Sequence, residues 1–292
     1  MLCVIIPTYK PDGELKEILS RLAAQTMVPD KVLIINTEEK YFDETVLKEG
    51  SKLFPSFETV HIKLPEFDHA ATRSYAASLC KDFDHIVFMT QDAVPADRDL
   101  IANLISPFKD EKVAVSYARQ LPKKGCSLIE RYTREFNYPP GSFVKGKEDM
   151  ERLGIKTYFC SDVCAAYDNA KFKELGGFTE RAIFNEDMIY AHKATEAGYL
   201  IAYAADAKVL HSHDYTVVQQ YKRNRDIGIT HEMFPEVFGG LKSEGEGIKL
   251  VLGNMKYLIK KGRPLLIFKL VILSGAKYLG YRSGRRSAKT AK

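Results

Sequence analysis

Cysteine is scarce in this chain of 292 residues, and its arrangement excludes a fold built on disulfides. The five cysteines are odd in number and irregularly spaced, and Cys3 lies in an apolar run that predicts a buried strand. This usage is typical of a reducing compartment. Cys160 and Cys164 have a spacing that some zinc sites use, but no second pair of thiols follows them, so we do not expect structural zinc.

Long hydrophobic runs are also missing. The apolar stretch 265–273 is about half the length needed to cross a bilayer, and Lys269 interrupts it. The first predicted strand begins almost at residue 1, which leaves no room for a signal peptide. We therefore expect a cytoplasmic protein without a membrane-spanning segment.

The pattern of an RNA-binding sheet is absent as well. A net charge of +5 and an isoelectric point near 8.7 make nucleic-acid binding one function to consider. However, aromatic residues are not interleaved with the basic ones, which cluster beside an apolar run, so we expect no nucleic-acid partner. With 45% hydrophobic and 28% charged residues, the chain has the composition of a soluble enzyme with a large core.

Predicted strands and helices alternate through about residue 120. This alternation predicts an α/β fold with a mainly parallel central sheet and helices on both of its faces. Beyond it, residues 121–157 are rich in charges and aromatics without a clear period. We divide the chain into an α/β domain, residues 1–230, and a basic, partly amphipathic helical appendage, residues 231–292.

One predicted strand ends on a carboxylate. The apolar run 85–89 is followed by Asp92 and closed by Pro95. Ligands of open α/β folds bind at the carboxyl ends of strands, so Asp92 stands where a metal-bound phosphate group would be held. The alternative is that Asp92 only caps the next turn or helix.

Two further predicted elements have polar residues at their ends. Glu186 and Asp187 begin a helix, where the helix dipole favours ionised carboxylates, although acidic first turns are also common as plain caps. His211 ends a strand and could ligate a metal through a neutral ring nitrogen. His213 lies on the same face if the strand continues, and we rank it second. The alternative is a pair of surface histidines without a role.

These segments, in this order, resemble glycosyltransferase family 2, which has the GT-A nucleotide-diphospho-sugar transferase fold, and more narrowly its bacterial rhamnosyltransferases. The resemblance spans about residues 2–230. It is carried by Val4-Ile5-Ile6-Pro7-Thr8-Tyr9, by the segment 68–74 with Thr72-Arg73, by Thr90-Gln91-Asp92 at the Asp-x-Asp position, by Gly176-Gly177-Phe178, by Glu186-Asp187 and by the two histidines.

The resemblance implies a role for each segment. Asp187 would be the base of an inverting transfer, with Glu186 beside it, and Asp92 and His211 would hold Mg2+ or Mn2+. The nucleotide-sugar contacts would be Pro7, Thr8, Tyr9, Thr37, Arg73, Gln91 and Asp92, and the acceptor-side contacts Gly176, Gly177 and Phe178. Arg73 could equally be a surface ion-pair partner. Thr90 replaces the first Asp of the motif, which leaves one carboxylate, still compatible with magnesium bound to substrate phosphates.

The implied donor is dTDP-L-rhamnose, and the implied acceptor is a cell-surface polysaccharide or its polyprenyl-diphosphate-linked precursor. Residues 1–120 would form the nucleotide-sugar half of the domain and residues 121–230 the acceptor half. The segment Asn36-Thr37-Glu38 does not match the family's base-binding pattern, so a UDP-sugar donor stays open. Thr90 also keeps open a nucleotide-sugar-binding protein without catalysis, although Glu186 and Asp187 argue against it.

The appendage has two open interpretations. Basic residues around the stretch 265–273 predict helices that lie at an anionic membrane surface, on the inner face of the plasma membrane, which suits a lipid-linked acceptor. The same pattern fits helices packed on the catalytic domain or on a second copy of the chain. The basic residues are Lys256, Lys260, Lys261, Arg263, Lys269, Lys277, Arg282, Arg285 and Arg286.

Overall fold

A single curved sheet organises the protein, seen in a computed structural model that describes residues 1–239 and 244–290. Its main strand order is β3-β2-β1-β4-β8-β6-β9-β5, and β7 pairs with β9. The strands are β1 (Leu2–Tyr9), β2 (Lys31–Thr37), β3 (Ser56–Ile62), β4 (His85–Met89), β5 (Val94–Pro95), β6 (Val113–Leu121), β7 (Phe143–Lys145), β8 (Cys164–Asp168) and β9 (Leu200–Leu210).

Most of the strands point in one direction, which confirms the predicted mainly parallel sheet. Strands β1, β2, β3 and β4 are mutually parallel. Strand β8 lies between β4 and β6 and is antiparallel to both, so β6 runs in the same direction as β4. Strand β9 is parallel to β6 and shares this direction. Only β5, β7 and β8 run the other way among the described strands. The carboxyl ends of β1, β2, β4 and β9 therefore meet at one edge of the sheet.

Helices cover both faces of the sheet, as the alternation predicts. They are α1 (Gly13–Ala23), α2 (Glu44–Leu53), α3 (His69–Ser78), α4 (Leu100–Ile105), α5 (Leu128–Asn137), α6 (Met150–Leu153), α7 (Asn169–Glu174), α8 (Glu186–Glu196), α9 (Val217–Met233), α10 (Pro235–Phe238), α11 (Glu244–Lys260) and α12 (Leu266–Thr290). Alternate residues of β1 show how the two cores form. Cys3 and Ile5 join the core on one face, whereas Val4 and Ile6 join the core on the other.

The C-terminal helices pack on the catalytic domain, one of the arrangements left open above. Helix α12 lies along α9, and a Cβ atom added at Gly280 or Gly284 would overlap the α9 backbone. A third core joins Ile129 of α5 to Leu258 of α11 and Leu270 of α12. Helix α9 continues through residue 230, the domain boundary drawn from the sequence. Within the described residues, no helix combines the length and the hydropathy that a membrane crossing requires.

Candidate active site

The ends of β1, β2 and β4 bring together most of the residues assigned to nucleotide-sugar binding. The Gln91 side chain joins two of these ends, because its Oε1 accepts from Tyr9 N (2.8 Å) and its Nε2 donates to Tyr9 O (3.1 Å). The hydroxyl of Thr8, next to Pro7 in β1, donates to Asn36 Oδ1 (3.0 Å). Thr37 is buried, and its hydroxyl has no hydrogen-bond partner among the described residues.

An aromatic rim borders this edge, and the sequence had not singled it out as a whole. The rings of Tyr9 and Tyr41 meet edge to face at 6.0 Å, and the Lys10 ammonium lies 4.6 Å from the Tyr41 ring centre. Both tyrosines are partly exposed. Flat exposed rings beside a cation form a surface that suits stacking of a nucleobase.

Asp92 lies at the same edge in contact with both histidines. Its Oδ2 is 3.0 Å from His213 Nε2 and 3.5 Å from His211 Nε2, while its Oδ1 accepts from the Thr90 hydroxyl (2.6 Å). Thr90, at the position of the missing carboxylate, thus orients the remaining one. His213, ranked second from the sequence, approaches Asp92 more closely than His211 does.

Gln120 determines which nitrogen of His211 carries the proton. Its Oε1 accepts from the Arg134 guanidinium, so the His211 Nδ1 that lies 2.8 Å from the same oxygen must be a donor. Burial lowers the pKa of His211 to about 4, only partly opposed by Asp92, which makes the ring neutral near pH 7. The lone pair of its Nε2 therefore points at the Asp92 carboxylate, as in a metal ligand held by an outer hydrogen bond.

The residues of this cluster fit a divalent cation. Burial alone would raise the pKa of Asp92, but its contacts with His211 and His213 and the hydrogen bond from the Thr90 hydroxyl outweigh burial and hold the pKa well below its ordinary value. One ligand atom from Asp92 and one from each histidine lie within 4.8 Å of one another. One carboxylate and two imidazoles leave positions for the oxygens of a bound diphosphate. The sequence had signalled His213 only through its spacing from His211.

Asp187 sits at the start of α8, as predicted, but for a different electrostatic reason. Its Oδ2 accepts from Asp162 N (3.1 Å) and its Oδ1 from Met188 N (2.7 Å). Burial, followed by the charge of Glu186, raises the pKa of Asp187 to about 7 against these two hydrogen bonds. The expectation that the helix start alone keeps this carboxylate ionised is therefore wrong, because desolvation exceeds the effect of the backbone N–H groups.

Arg73 lies beneath this carboxylate and not at the protein surface. Its Nη1 is 2.9 Å from Glu186 Oε1 and its Nε is 3.4 Å from Asp162 Oδ2, and all three residues are at most 5% exposed. In this arrangement its charge is directed at two buried carboxylates, and its assignment to nucleotide-sugar binding stays a prediction. The surface ion pair, the alternative given above, is wrong because the pair is buried.

Asp162 is the residue of this cluster that sequence reasoning missed. It is buried, and Tyr167 donates its hydroxyl to Asp162 Oδ1 (2.6 Å). Burial, opposed by Arg73, raises the pKa of Asp162 well above its usual range. The available signal was a lone acid immediately ahead of the apolar strand β8.

The two carboxylate sites are connected through buried polar groups. Gln120, which fixes His211, donates a hydrogen bond from its Nε2 to Ser161 Oγ (2.9 Å). Asp162 follows Ser161 in the chain and donates its backbone N–H to the Asp187 carboxylate. A second connection crosses the surface, where the Arg223 guanidinium lies 4.7 Å from the Phe184 ring centre and 5.8 Å from that of Tyr215. The base candidate and the metal candidate thus belong to one site.

The segment assigned to the acceptor side shapes a loop from within. Gly176 and Gly177 adopt left-handed backbone angles (φ of 73° and 61°), where other residues would be strained. The Phe178 ring is buried against Phe88 and Tyr167, with ring centres 5.3 and 5.5 Å away. The Phe178 ring therefore anchors the loop from within, and the acceptor-side role of this segment stays a prediction.

The fold and the site define a GT-A glycosyltransferase. Mannosyltransferase PcManGT from Pyrobaculum calidifontis, solved with GDP-Man and Mn2+, matches the whole chain over 87% of its own length with a TM-score of 0.63 and 14% identity. S. aureus TarS 1–349 matches the whole chain over 92% of its length, with a TM-score of 0.54 and 15% identity. At these identities the likeness shows the fold alone.

The chain belongs to glycosyl transferase family 2, whose model matches residues 3–176. It is 40% identical over 288 residues to O-antigen chain rhamnosyltransferase RfbN of Salmonella typhimurium, covering 97% of this chain and 89% of the relative. It is 35% identical over 286 residues to O-antigen chain rhamnosyltransferase WbaN of Salmonella anatum, covering 97% and 88%. The resemblance to this family and to its bacterial rhamnosyltransferases is confirmed.

Proposed function

We propose that this chain is an inverting, metal-dependent rhamnosyltransferase that moves L-rhamnose from dTDP-L-rhamnose to a surface polysaccharide or its polyprenyl-diphosphate-linked precursor. Two relatives that are similar over nearly their whole length bear the name O-antigen chain rhamnosyltransferase. The observation that carries the proposal is the connection of Asp92, His211 and His213 to Asp187 through Gln120 and Ser161. A site for the leaving diphosphate and a base for the acceptor are thereby held in one structure.

The donor site draws on both predicted halves of the domain. Mg2+ or Mn2+, held by Asp92, His211 and His213, would supply positive charge to the departing nucleoside diphosphate. Asp92 keeps its negative charge at neutral pH because its pKa is lowered. Tyr9 and Tyr41 offer faces for the base, and the Gln91 amide fixes the strand end that carries Tyr9.

Asp187 acts on the acceptor. Its carboxylate takes the proton of the acceptor hydroxyl while that oxygen bonds to the anomeric carbon and the bond from this carbon to the diphosphate oxygen breaks. Each oxygen of Asp187 accepts one backbone N–H, which leaves a further lone pair for the incoming proton. A pKa of about 7 matches a general base that works near neutral pH.

The outer face of the C-terminal helices supports a peripheral position on the inner face of the plasma membrane, with the protein in the cytoplasm. Leu265 and Phe268 are 78% and 72% exposed, and other apolar side chains of α11 and α12 are also exposed. Basic residues lie among them, including Lys260, Lys261 and Lys269. Exposed apolar groups beside cations favour an anionic lipid surface.

Thermal stabilisation by nucleotide sugars tests the proposal, because a ligand that binds the native state raises its melting temperature. We expect dTDP-L-rhamnose to raise the melting temperature more with Mg2+ or Mn2+ than with EDTA, and rhamnosyl transfer to need the same metal. A shift with a UDP sugar instead would overturn the donor but keep the mechanism. A shift without any turnover would point to a binding protein that lacks catalysis.

A further inference from the structure

A large cavity lies between the C-terminal helices and the catalytic domain, beside the places where they pack together. It has a volume of about 610 Å³, which is within the range of small-molecule sites, and it lies among α5, α9, α11 and α12. Much of its wall is apolar, with Ile129, Val251, Leu270 and Leu273 among the lining residues. The proposed transfer reaction does not require a hydrophobic cavity at this place.

The two ends of the cavity differ in chemistry. One end reaches His213, whose Nε2 is 3.0 Å from Asp92, and Tyr215, whose ring stacks on that of His213. Elsewhere the lining includes Ile248 and Leu252 of α11, which are 60% and 54% exposed. A ligand in this cavity would therefore touch the catalytic site while its apolar part extends toward the exposed face of the helices.

Lys277 places a cation inside the cavity. Its ammonium has no hydrogen-bond or ion-pair partner within the part of the chain that the structure describes. Burial lowers its pKa, and the charges that face it are those of Glu130, Arg134 and Arg223. Glu130 is already paired with Arg134 (2.6 Å), so an anion at Lys277 would meet a site with spare positive charge.

The order of residues along α12 gives the cavity a direction. Glu130, which faces Lys277, also accepts a hydrogen bond from His213 N (3.3 Å), so Lys277 belongs to the end near the catalytic site. Leu273 and Leu270 follow toward the start of α12. At 1.5 Å per residue, Leu270 lies about 10 Å along the helix from Lys277.

We propose that this cavity binds the lipid end of a polyprenyl-diphosphate-linked acceptor, with the first isoprenoid units against Leu270 and Leu273 and the diphosphate at Lys277. The inference rests on the proposed transfer to a lipid-linked acceptor. It explains why an apolar cavity with one unpaired cation adjoins the metal cluster. The glycan attached to the diphosphate would extend past Tyr215 toward Asp187.

Calorimetric titration of the full chain with farnesyl diphosphate, a soluble prenyl diphosphate, tests the proposal. EDTA is present so that the diphosphate does not bind as a metal complex at Asp92. We expect farnesyl diphosphate to bind at least tenfold more tightly than inorganic diphosphate or farnesol. Equal binding of inorganic diphosphate would overturn the proposal, because the prenyl chain would then add no affinity. Loss of farnesyl diphosphate binding in Asp92→Asn would also overturn it, because that result places the ligand in the donor site.

Two pairs of variants locate the ligand. Ser274→Trp fills the cavity and should weaken farnesyl diphosphate binding at least tenfold, whereas Ile272→Trp, on the exposed side of α12, should change it less than twofold. Lys277→Met should weaken farnesyl diphosphate about tenfold without changing farnesol binding, and Lys256→Met is its control. Equal effects within either pair would contradict the assignment and place the prenyl chain on the outer surface.

The dTDP-L-rhamnose melting shift separates this inference from the proposed function. The wild type and Ser274→Trp should show the same shift with Mg2+, because the substitution lies away from the residues assigned to the donor. Absence of the shift in the wild type would count against rhamnosyl transfer and leave the prenyl titration to be judged separately. A normal shift without farnesyl diphosphate binding would overturn the cavity assignment alone.

Discussion

Asp92 and Asp187 have the same side chain, but their pKa values are shifted in opposite directions. Asp92 lies among His211, His213 and the Thr90 hydroxyl, and these contacts lower its pKa in spite of burial. Asp187 lies beside Glu186, and burial raises its pKa to about 7 even though two backbone N–H groups bind it. One carboxylate is permanently charged near pH 7, and the other is poised to exchange a proton.

This difference supports the two roles proposed for these carboxylates. A group that holds a cation must remain ionised, whereas a general base works best when its pKa is near the working pH. Buried Arg73 and Asp162 strengthen the contrast, because Arg73 pairs with Glu186 at the start of α8 and with Asp162 ahead of β8, which allows these acids to lie near Asp187.

Replacing the base should have the largest effect. Asp187→Asn retains the shape of the side chain but removes the proton acceptor, so we expect kcat to fall about 10²- to 10⁴-fold. The metal-dependent melting shift with dTDP-L-rhamnose should persist, since the donor site is intact. Steady-state transfer assays and melting curves on the same samples measure both quantities.

Asp206→Asn is the matched control for this substitution, at an exposed position in β9. It should leave both transfer and donor binding unchanged. Normal turnover in Asp187→Asn would remove the base assignment, and loss of the donor shift in that variant would indicate that Asp187 supports the donor site instead.

Removing a metal ligand should weaken the metal-dependent binding of the donor. We expect His213→Ala to raise the metal concentration needed for half of the melting shift by more than the 10- to 100-fold typical of an outer-shell partner. His192→Ala removes a partly buried histidine that contacts the Tyr158 ring, and it should leave the metal dependence unchanged. If both variants needed the same metal concentration for half of the melting shift, His213 would be excluded from the metal site.

The positions of the three carboxylates in the fold were predictable because the signals are local. Asp92 follows an apolar run and Glu186-Asp187 begin a helix, so sequence order alone places them at element ends. Their roles remain a proposal that rests on the family resemblance. Strand β1, with its Pro7-Thr8-Tyr9 end, was equally clear.

What was missed depends on contacts between distant segments. Asp162 meets Arg73 across 89 positions only because β8 is inserted antiparallel beside β4. Helix α5 was not predicted within the segment 121–157, although its own apolar residues fall on one face. Ile129 joins a core with α11, and the Tyr132 ring packs on that of Tyr257 (5.3 Å). The burial of Phe178 and the cavity beside Lys277 likewise follow from packing that no short motif encodes.

Gln120 offers a finer test, because it holds His211 with its oxygen and Ser161 with its nitrogen. Gln120→Met removes both bonds and should weaken metal affinity about 10- to 100-fold. Gln120→Glu keeps an acceptor for His211 Nδ1 beside Arg134, so metal affinity should stay within a few fold of the wild type. Equal losses in the two variants would show that the hydrogen bond to His211 does not tune the metal ligand.

The smallest effect concerns stability and follows from the raised pKa of Asp187. Its folded pKa of about 7 exceeds the ordinary value of 3.8, so between these pH values the folded state binds more protons than the unfolded state. Its contribution to stability is therefore present below about pH 4 and is lost as the pH rises through 7.

Asn cannot titrate, so Asp187→Asn should gain relative stability over the same interval. We expect its melting temperature, compared with the wild type, to increase by several degrees between pH 4.5 and pH 8. Asp206→Asn should show no such trend, which separates a buried carboxylate from a general change of net charge. A difference that stays constant with pH would mean that Asp187 is no more desolvated than a surface acid, and the contrast with Asp92 would then lose its physical basis.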